Sequence, residues 1–184
     1  MPAETKTKRR VAGVEALCGL DVVDTSRRSA QDGTFALLCG ERCSVPGSRL
    51  FKQAVMAGNW AATTQLAQQQ LGTAAAAASS THREARCCML DVCVDDAAVD
   101  DAAAMKAVLG EWSRDAAVAR VPVVVDSTDP DVVEAALTSV QGRPLVNSIS
   151  LSSGVDSFVK TGRLCRLLGA GVVVMAADER GPAH

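Results

Sequence analysis

Five polar side chains are set into the C-terminal parts of five apolar runs: Glu41 in FALLCGE, Asp91 in CCMLDVCV, Asp126 in VPVVVD, Asn147 in PLVNSIS, and Asp178 just after GVVVMAA. Taken singly, each would be a helix cap or a loop carboxylate. Five in matching positions point to one pocket. A carboxylate accepts two parallel N–H bonds from an amidine-like edge, and such charge-assisted bonds are short and directional. An amide adds a donor and an acceptor. A ring of carboxylates with one amide therefore suits a heterocycle that presents several N–H donors. Other chemistries are poorly served. Only His82 and His184 are available for a histidine metal site or a Ser-His-Asp triad, and no glycine-rich loop stands ready to cradle phosphate. The seven cysteines (18, 39, 43, 87, 88, 93 and 165) lack paired CxxC spacing and lie mostly in apolar runs. They read as reduced core thiols, with no metal site and no disulfides.

The elements that must position these groups alternate along the chain. Runs of strand length at 35–41, 87–94, 121–126, 144–150 and 171–177 are apolar enough to be buried on both faces, as in parallel sheets. Between them Met105, Val108, Leu109 and Trp112 follow helical spacing. Val132, Val133, Ala136, Leu137 and Val140 make a second stripe ended by Gly142, and Val155, Phe158 and Val159 begin a third. Asp129 followed by Pro130 has the form of a helix N-cap with proline in the first turn, so Asp126 falls where strand gives way to loop. Such alternation means right-handed βαβ units around a parallel sheet, either doubly wound or a (β/α)8 barrel, of which five strands are present. In a barrel, the strand ends and the loops after them build the site.

The bulk properties bound the rest. A chain of 184 residues with 48% hydrophobic content supports one well-packed domain. A net charge of −2 gives no basic footprint for nucleic acid. No apolar run is long enough to cross a bilayer, and the polar start MPAETKTKRR is unlike a signal peptide, so a cytoplasmic protein is expected. Residues 1–34 read as a polar tail and lead-in, and residues 35–184 as the folded domain. Within that domain the alanine-rich insert 74–86 is expected to extend a helix and then loop out.

The 2-amino-pyrimidinone edge of a pterin has the donor pattern such a ring would hold. The strings GERCSVPGSRLFKQAV (40–55), LDVCVDDAAVDDAAAM (90–105), VPVVVDSTDPDVVEAAL (121–137), VNSISLSSGVDSF (146–158) and GAGVVVMAADERGPA (169–183) resemble the pterin-binding (folate) domain of cobalamin-dependent methionine synthases. The resemblance implies an α/β fold: a partial TIM-type barrel made of the first five βα units. It implies a methyltransferase that binds 5-methyltetrahydrofolate and passes its methyl group to cob(I)alamin. The cobalamin-binding and homocysteine-binding domains and three further βα units would lie outside this chain, which alone would be inactive. By the same resemblance Asp91, Asp126 and Asp178 hold the N–H edge, Asn147 sits near N5 as the catalytic group, and Glu41, Ser148 and Ser150 support the wall. This sequence departs from the family pattern at Ser44, Pro46, Cys93 and Ala97, where Asn, Thr, Asn and Gly are usual. Two other readings stand beside this one: a non-catalytic pterin-binding remnant or scaffold, and a dihydropteroate synthase-like enzyme. The second lacks the expected late basic residue and phosphate-binding loops. Unpaired edges on the first and fifth strands would favour association.

Overall fold

A computed structural model describes residues 16–24, 38–77, 87–96 and 98–182. Five parallel strands, β3 (Leu38–Ser44), β4 (Cys87–Cys93), β5 (Val123–Asp126), β6 (Leu145–Ile149) and β7 (Gly171–Val174), lie side by side in chain order. Each neighbouring pair is parallel. Strands in sequence order joined by helical crossovers form the arc of a β/α barrel rather than a doubly wound sheet, whose order reverses at a switch point.

The helices are α1 (Arg49–Met56), α2 (Trp60–Ala77), α3 (Asp101–Trp112), α4 (Pro130–Leu137) and α5 (Val155–Leu167). Local chemistry fixes where three of them start. Ser48 accepts from the Phe51 N–H and Asp100 from the Ala103 N–H. Asp129 accepts from the Asp131 N–H at 2.8 Å with Pro130 in the first turn, as the Asp-Pro pair predicts. Met105, Val108, Leu109 and Trp112 on α3 are buried against Leu90, Val92 and Val125 of the sheet. On α4, Val133 and Leu137 pack with Val146 and Cys165. Leu90, Val92, Val125 and Val146 thus face the helices, and alternation along each strand turns Met89, Asp91, Cys93, Val124 and Asp126 to the concave face. α2 continues to Ala77, so the alanine run does extend a helix, while 78–86 fall outside the described residues.

Three expectations need correction. The first strand is not 35–41 but Leu38–Ser44, because its pairing with β4 runs through Cys43 and Ser44, opposite Val92 and Cys93. Glu41 is therefore mid-strand, in a bulge between Gly40 and Cys43, rather than at the strand end. The second helical stripe ends at Leu137, with Val140 and Gly142 beyond the helix. The third stripe faces outward: Val155 and Val159 are exposed, and α5 buries Thr161 and Cys165 instead.

Ahead of the arc, within the expected lead-in, β1 (Ala16–Cys18) and β2 (Val22–Asp24) form an antiparallel hairpin. Leu17, 3% exposed, packs on Met89 and Val124 and floors the concave face with apolar surface. The hairpin is tied down by Cys18, whose N–H and C=O both pair with Arg143. Gly142 permits that approach, with φ at 82° and a position where a Cβ would stand 2.3 Å from the Cys18 carbonyl oxygen.

Candidate functional site

Strand register arranges the polar groups in two layers above the apolar floor. In the lower layer Asp91 lies beside Val124. In the upper layer Asp126 lies beside Asn147, and Asn147 beside Val173. One step past the Val92–Val125 pair, Cys93 is level with Asp126, and Ser44 is level with Cys93. Glu41, exposed on the β3 bulge, is close enough that its charge raises the carboxyl groups of both Asp91 and Asp126. Glu41, Asp91, Asp126 and Asn147 are thus brought together at one end of the arc.

Asp91 is the most constrained of them. It is only 6% exposed, and no described residue hydrogen-bonds its side chain. Burial first, then the charges of Asp126 and Glu41, push its carboxyl from 3.8 up to about 7. Asp126 is half-buried and also raised, by burial first and then by the charge of Glu41, with the neighbouring Cys93 thiol acting the other way. Buried carboxylates without cationic partners are costly to a fold and are the usual mark of a ligand site.

The remaining expected residues lie apart from this cluster. Asp178, on β8 (Ala177–Asp178), which pairs with β9 (Gly181–Pro182), is engaged by Arg180: Nη2 donates at 2.7 Å, and the backbone N–H at 2.8 Å. Arg180 holds its carboxyl below the ordinary range. It lines an open cleft of about 690 Å³ beyond β7, with Leu151, Phe158, Val174 and Met175. Ser148 and Ser150 line a narrow crevice with Thr128, Ser153, Ser157 and Thr161 rather than the carboxylate cluster. Ser150 also hydrogen-bonds Ser152.

Two neighbours of the cluster escaped sequence reasoning. Asp95 Oδ1 is buried without a partner, and burial first, then the charges of Asp101, Asp126 and Asp129, raises its carboxyl, with the neighbouring Ser127 acting the other way. Ser127, 2% exposed, in turn accepts from the Asp129 N–H at 3.2 Å. The signal was available for Asp95, since it continues the period-two series 89, 91, 93 from β4. Nothing in the local pattern marks Ser127. Among the described residues no group of His, Cys, Asp and Glu is arranged to hold a metal ion, and no helix is long and apolar enough to cross a membrane.

The model of a family described as pterin binding enzyme matches residues 40–183, most of the chain. The arc, the ordered parallel strands and this match agree, and the chain belongs to the pterin-binding enzyme family. Its ligand class is accordingly a small-molecule pterin or folate.

Proposed function

We propose that the chain binds 5-methyltetrahydrofolate through its pterin ring and serves methyl transfer to cob(I)alamin in methionine synthesis, as the folate-binding part of a cobalamin-dependent methionine synthase. The observation that carries the pterin reading is Asp91, nine-tenths buried, with Asp126 above it and no donor to its carboxyl among the described residues. Two N–H groups of an aminopyrimidinone edge would supply the bonds the protein withholds. The apolar floor under Asp91, made by Leu17, Met89 and Val124, would exclude water from the ring. The longer strings around VNSIS and MAADERG favour a methionine synthase over a dihydropteroate synthase-like enzyme.

The proposed roles follow from the chemistry of the leaving group. N5 departs poorly until it is protonated or strongly hydrogen-bonded, so the pocket must stabilise charge that develops there. Asn147, level with Asp126, is assigned to that task through its amide and a bound water. Asp91 and Asp126 orient the ring and Glu41 adds to the wall beside them, while Ser148, Ser150 and Asp178, which line separate clefts, would meet the ligand only at its periphery. Cobalamin would be held by another domain and would supply the methyl acceptor. Calorimetric titration with 5-methyltetrahydrofolate, and separately with a dihydropterin pyrophosphate, tests the reading. Binding of the first with little binding of the second is expected. The reverse preference would overturn the methyltransferase assignment in favour of a dihydropteroate synthase-like one.

A further inference from the structure

The bulge in β3 is held by a side chain from the helix layer. A regular strand would turn Gly40 and Arg42 to one face and Glu41 and Cys43 to the other. Here Gly40 lies opposite Leu90 and Cys43 opposite Val92, both on the helix side. One extra residue is absorbed between them, and Glu41 and Arg42 both stand exposed in the bulge. Gln70 of α2, 7% exposed, reaches this point. Its Oε1 accepts from the Arg42 backbone N–H at 2.8 Å, and its Nε2 donates to the Cys43 sulfur at 3.0 Å. Gly40 leaves the room, since a Cβ there would stand 2.6 Å from Gln70 Oε1. Ala67, one turn earlier on the same face of α2, is fully buried in the core and anchors the helix from which Gln70 extends.

We propose that Gln70 is a positioning residue for Glu41: its carboxamide clamps the β3 bulge and so holds Glu41 beside Asp91 and Asp126. The inference rests on the pterin-binding reading for its functional meaning and on the hydrogen bonds to Arg42 and Cys43 for its physical basis. A primary amide carries both an acceptor and donors, so one group serves two consecutive residues of the bulge. Truncating it would take away the partner of the Arg42 N–H, a backbone donor that folded chains rarely leave unpaired. Loss of the clamp frees the bulge to shift, and Glu41 with it. Two charges act on Asp91, those of Asp126 from β5 and Glu41 from β3. The thiols near it stay uncharged, because burial pushes Cys39 and Cys43 of β3 up to about 12 and Cys93 of β4 up to about 11. The hairpin beneath offers only the apolar Leu17. Glu41 is therefore the one charge on Asp91 that the bulge governs.

The test follows the Asp91 carboxyl by carbon-13 NMR across pH in the full chain without ligand, its signal assigned by loss in Asp91→Asn. Gln70→Met keeps the length of the side chain and removes both amide hydrogen bonds. The Glu41 charge raises the Asp91 carboxyl, so releasing Glu41 should lower the Asp91 midpoint toward its value in Glu41→Gln. With Glu41→Gln already in place, adding Gln70→Met should move the midpoint no further. A merely structural role, through loosening or hydration of the strand, would lower it equally in both backgrounds and overturn the proposal. So would an unchanged midpoint in Gln70→Met. Gly40→Ala breaks the same contact with Gln70 still present, because the added methyl must push the amide aside and the backbone there is not left-handed. It should give the same fall, and if Gln70→Met does not fold it decides by the same criteria. In titrations with 5-methyltetrahydrofolate at neutral pH, Gln70→Met should lose about three- to tenfold in affinity, and less than about twofold when Glu41→Gln is already present. Equal losses in the two backgrounds would overturn the proposal. A wild-type chain that binds no pterin would refute the functional reading, and the ligand-free midpoints would still decide whether Gln70 governs Glu41.

Discussion

Asp91 costs the fold free energy whenever its carboxyl is ionised. Folding raises it from 3.8 to about 7, so the folded state favours the protonated form. The stability it contributes is complete below about pH 4 and is lost as pH rises through 7. A shift of this size corresponds to at most about 4 kcal/mol, less where solvent reaches the carboxyl. Asp91→Asn, which cannot ionise, is expected to be more stable than wild type by about 2–4 kcal/mol at pH 8 and nearly equal to it at pH 4, as measured by chemical denaturation at both values. An unchanged difference between the two pH values would mean that Asp91 is not held in this environment. The same substitution should weaken pterin binding, the trade expected where a site is built at the expense of stability. Asp178 presents the opposite case. Its oxygens are already engaged by Arg180 on an exposed hairpin, so it can serve a ligand only by releasing that partner. Asp178→Ala should therefore reduce affinity less than about fivefold, well short of the loss at Asp126, in parallel titrations.

Among the elements, the hairpin β1–β2 is the least obvious contributor. Leu17 is its anchor, buried against Met89 and Val124 directly beneath Asp91. Leu17→Ala should destabilise the chain by about 2–4 kcal/mol in thermal or denaturant unfolding. A loss below about 0.5 kcal/mol, the range of neutral surface changes, would show that the hairpin does not floor the sheet. The hairpin was hard to read from sequence because its two strands are three residues each, too short for a period to declare itself, and its partners are more than sixty residues away. The strands that carry Asp91, Asp126 and Asn147 were legible for the converse reason: valine-rich runs closed by a polar residue, followed by cap chemistry such as Asp129-Pro130. β3 slipped by three residues because both LLCG and the segment through Cys43 and Val45 are apolar enough, and only pairing with β4 selects the second. α5 misled because its apolar residues point outward, a choice that depends on what packs against Ile149 and Val146 rather than on helical spacing. Of the site, strand phase accounts for Asp91, Asp126 and Asn147 sharing the concave face, whereas Glu41 owes its position to the bulge in β3, which nothing in the sequence marks. The approach of Asp95 and Ser127 was not legible either, since it depends on how the loops run after the strands end.

At the scale of the molecule, apolar side chains gather around the last parallel strand. Val173, Val174 and Met175 are exposed there, and Val155, Val159 and Leu167 are exposed on α5. A sheet edge with such neighbours tends to seek a partner. Sedimentation velocity on the chain is expected to show mass rising with concentration, and Val174→Lys should shift it toward the monomer. A monomer at all concentrations would show that this face is self-sufficient. The central claim, that the carboxylates at the concave end form one pterin site, is tested most directly by calorimetric titration of wild type, Asp126→Ala and Asp131→Ala with 5-methyltetrahydrofolate. Asp131 lies on α4, exposed and paired with Lys160 at 3.2 Å, away from the cluster, and serves as the control. Losing a carboxylate that takes charge-assisted bonds from a buried ring should cost about 2–4 kcal/mol, a loss of roughly thirtyfold to nearly a thousandfold in affinity. Binding that survives in Asp131→Ala and falls by that amount in Asp126→Ala is the predicted result; equal affinities in all three proteins would contradict the site.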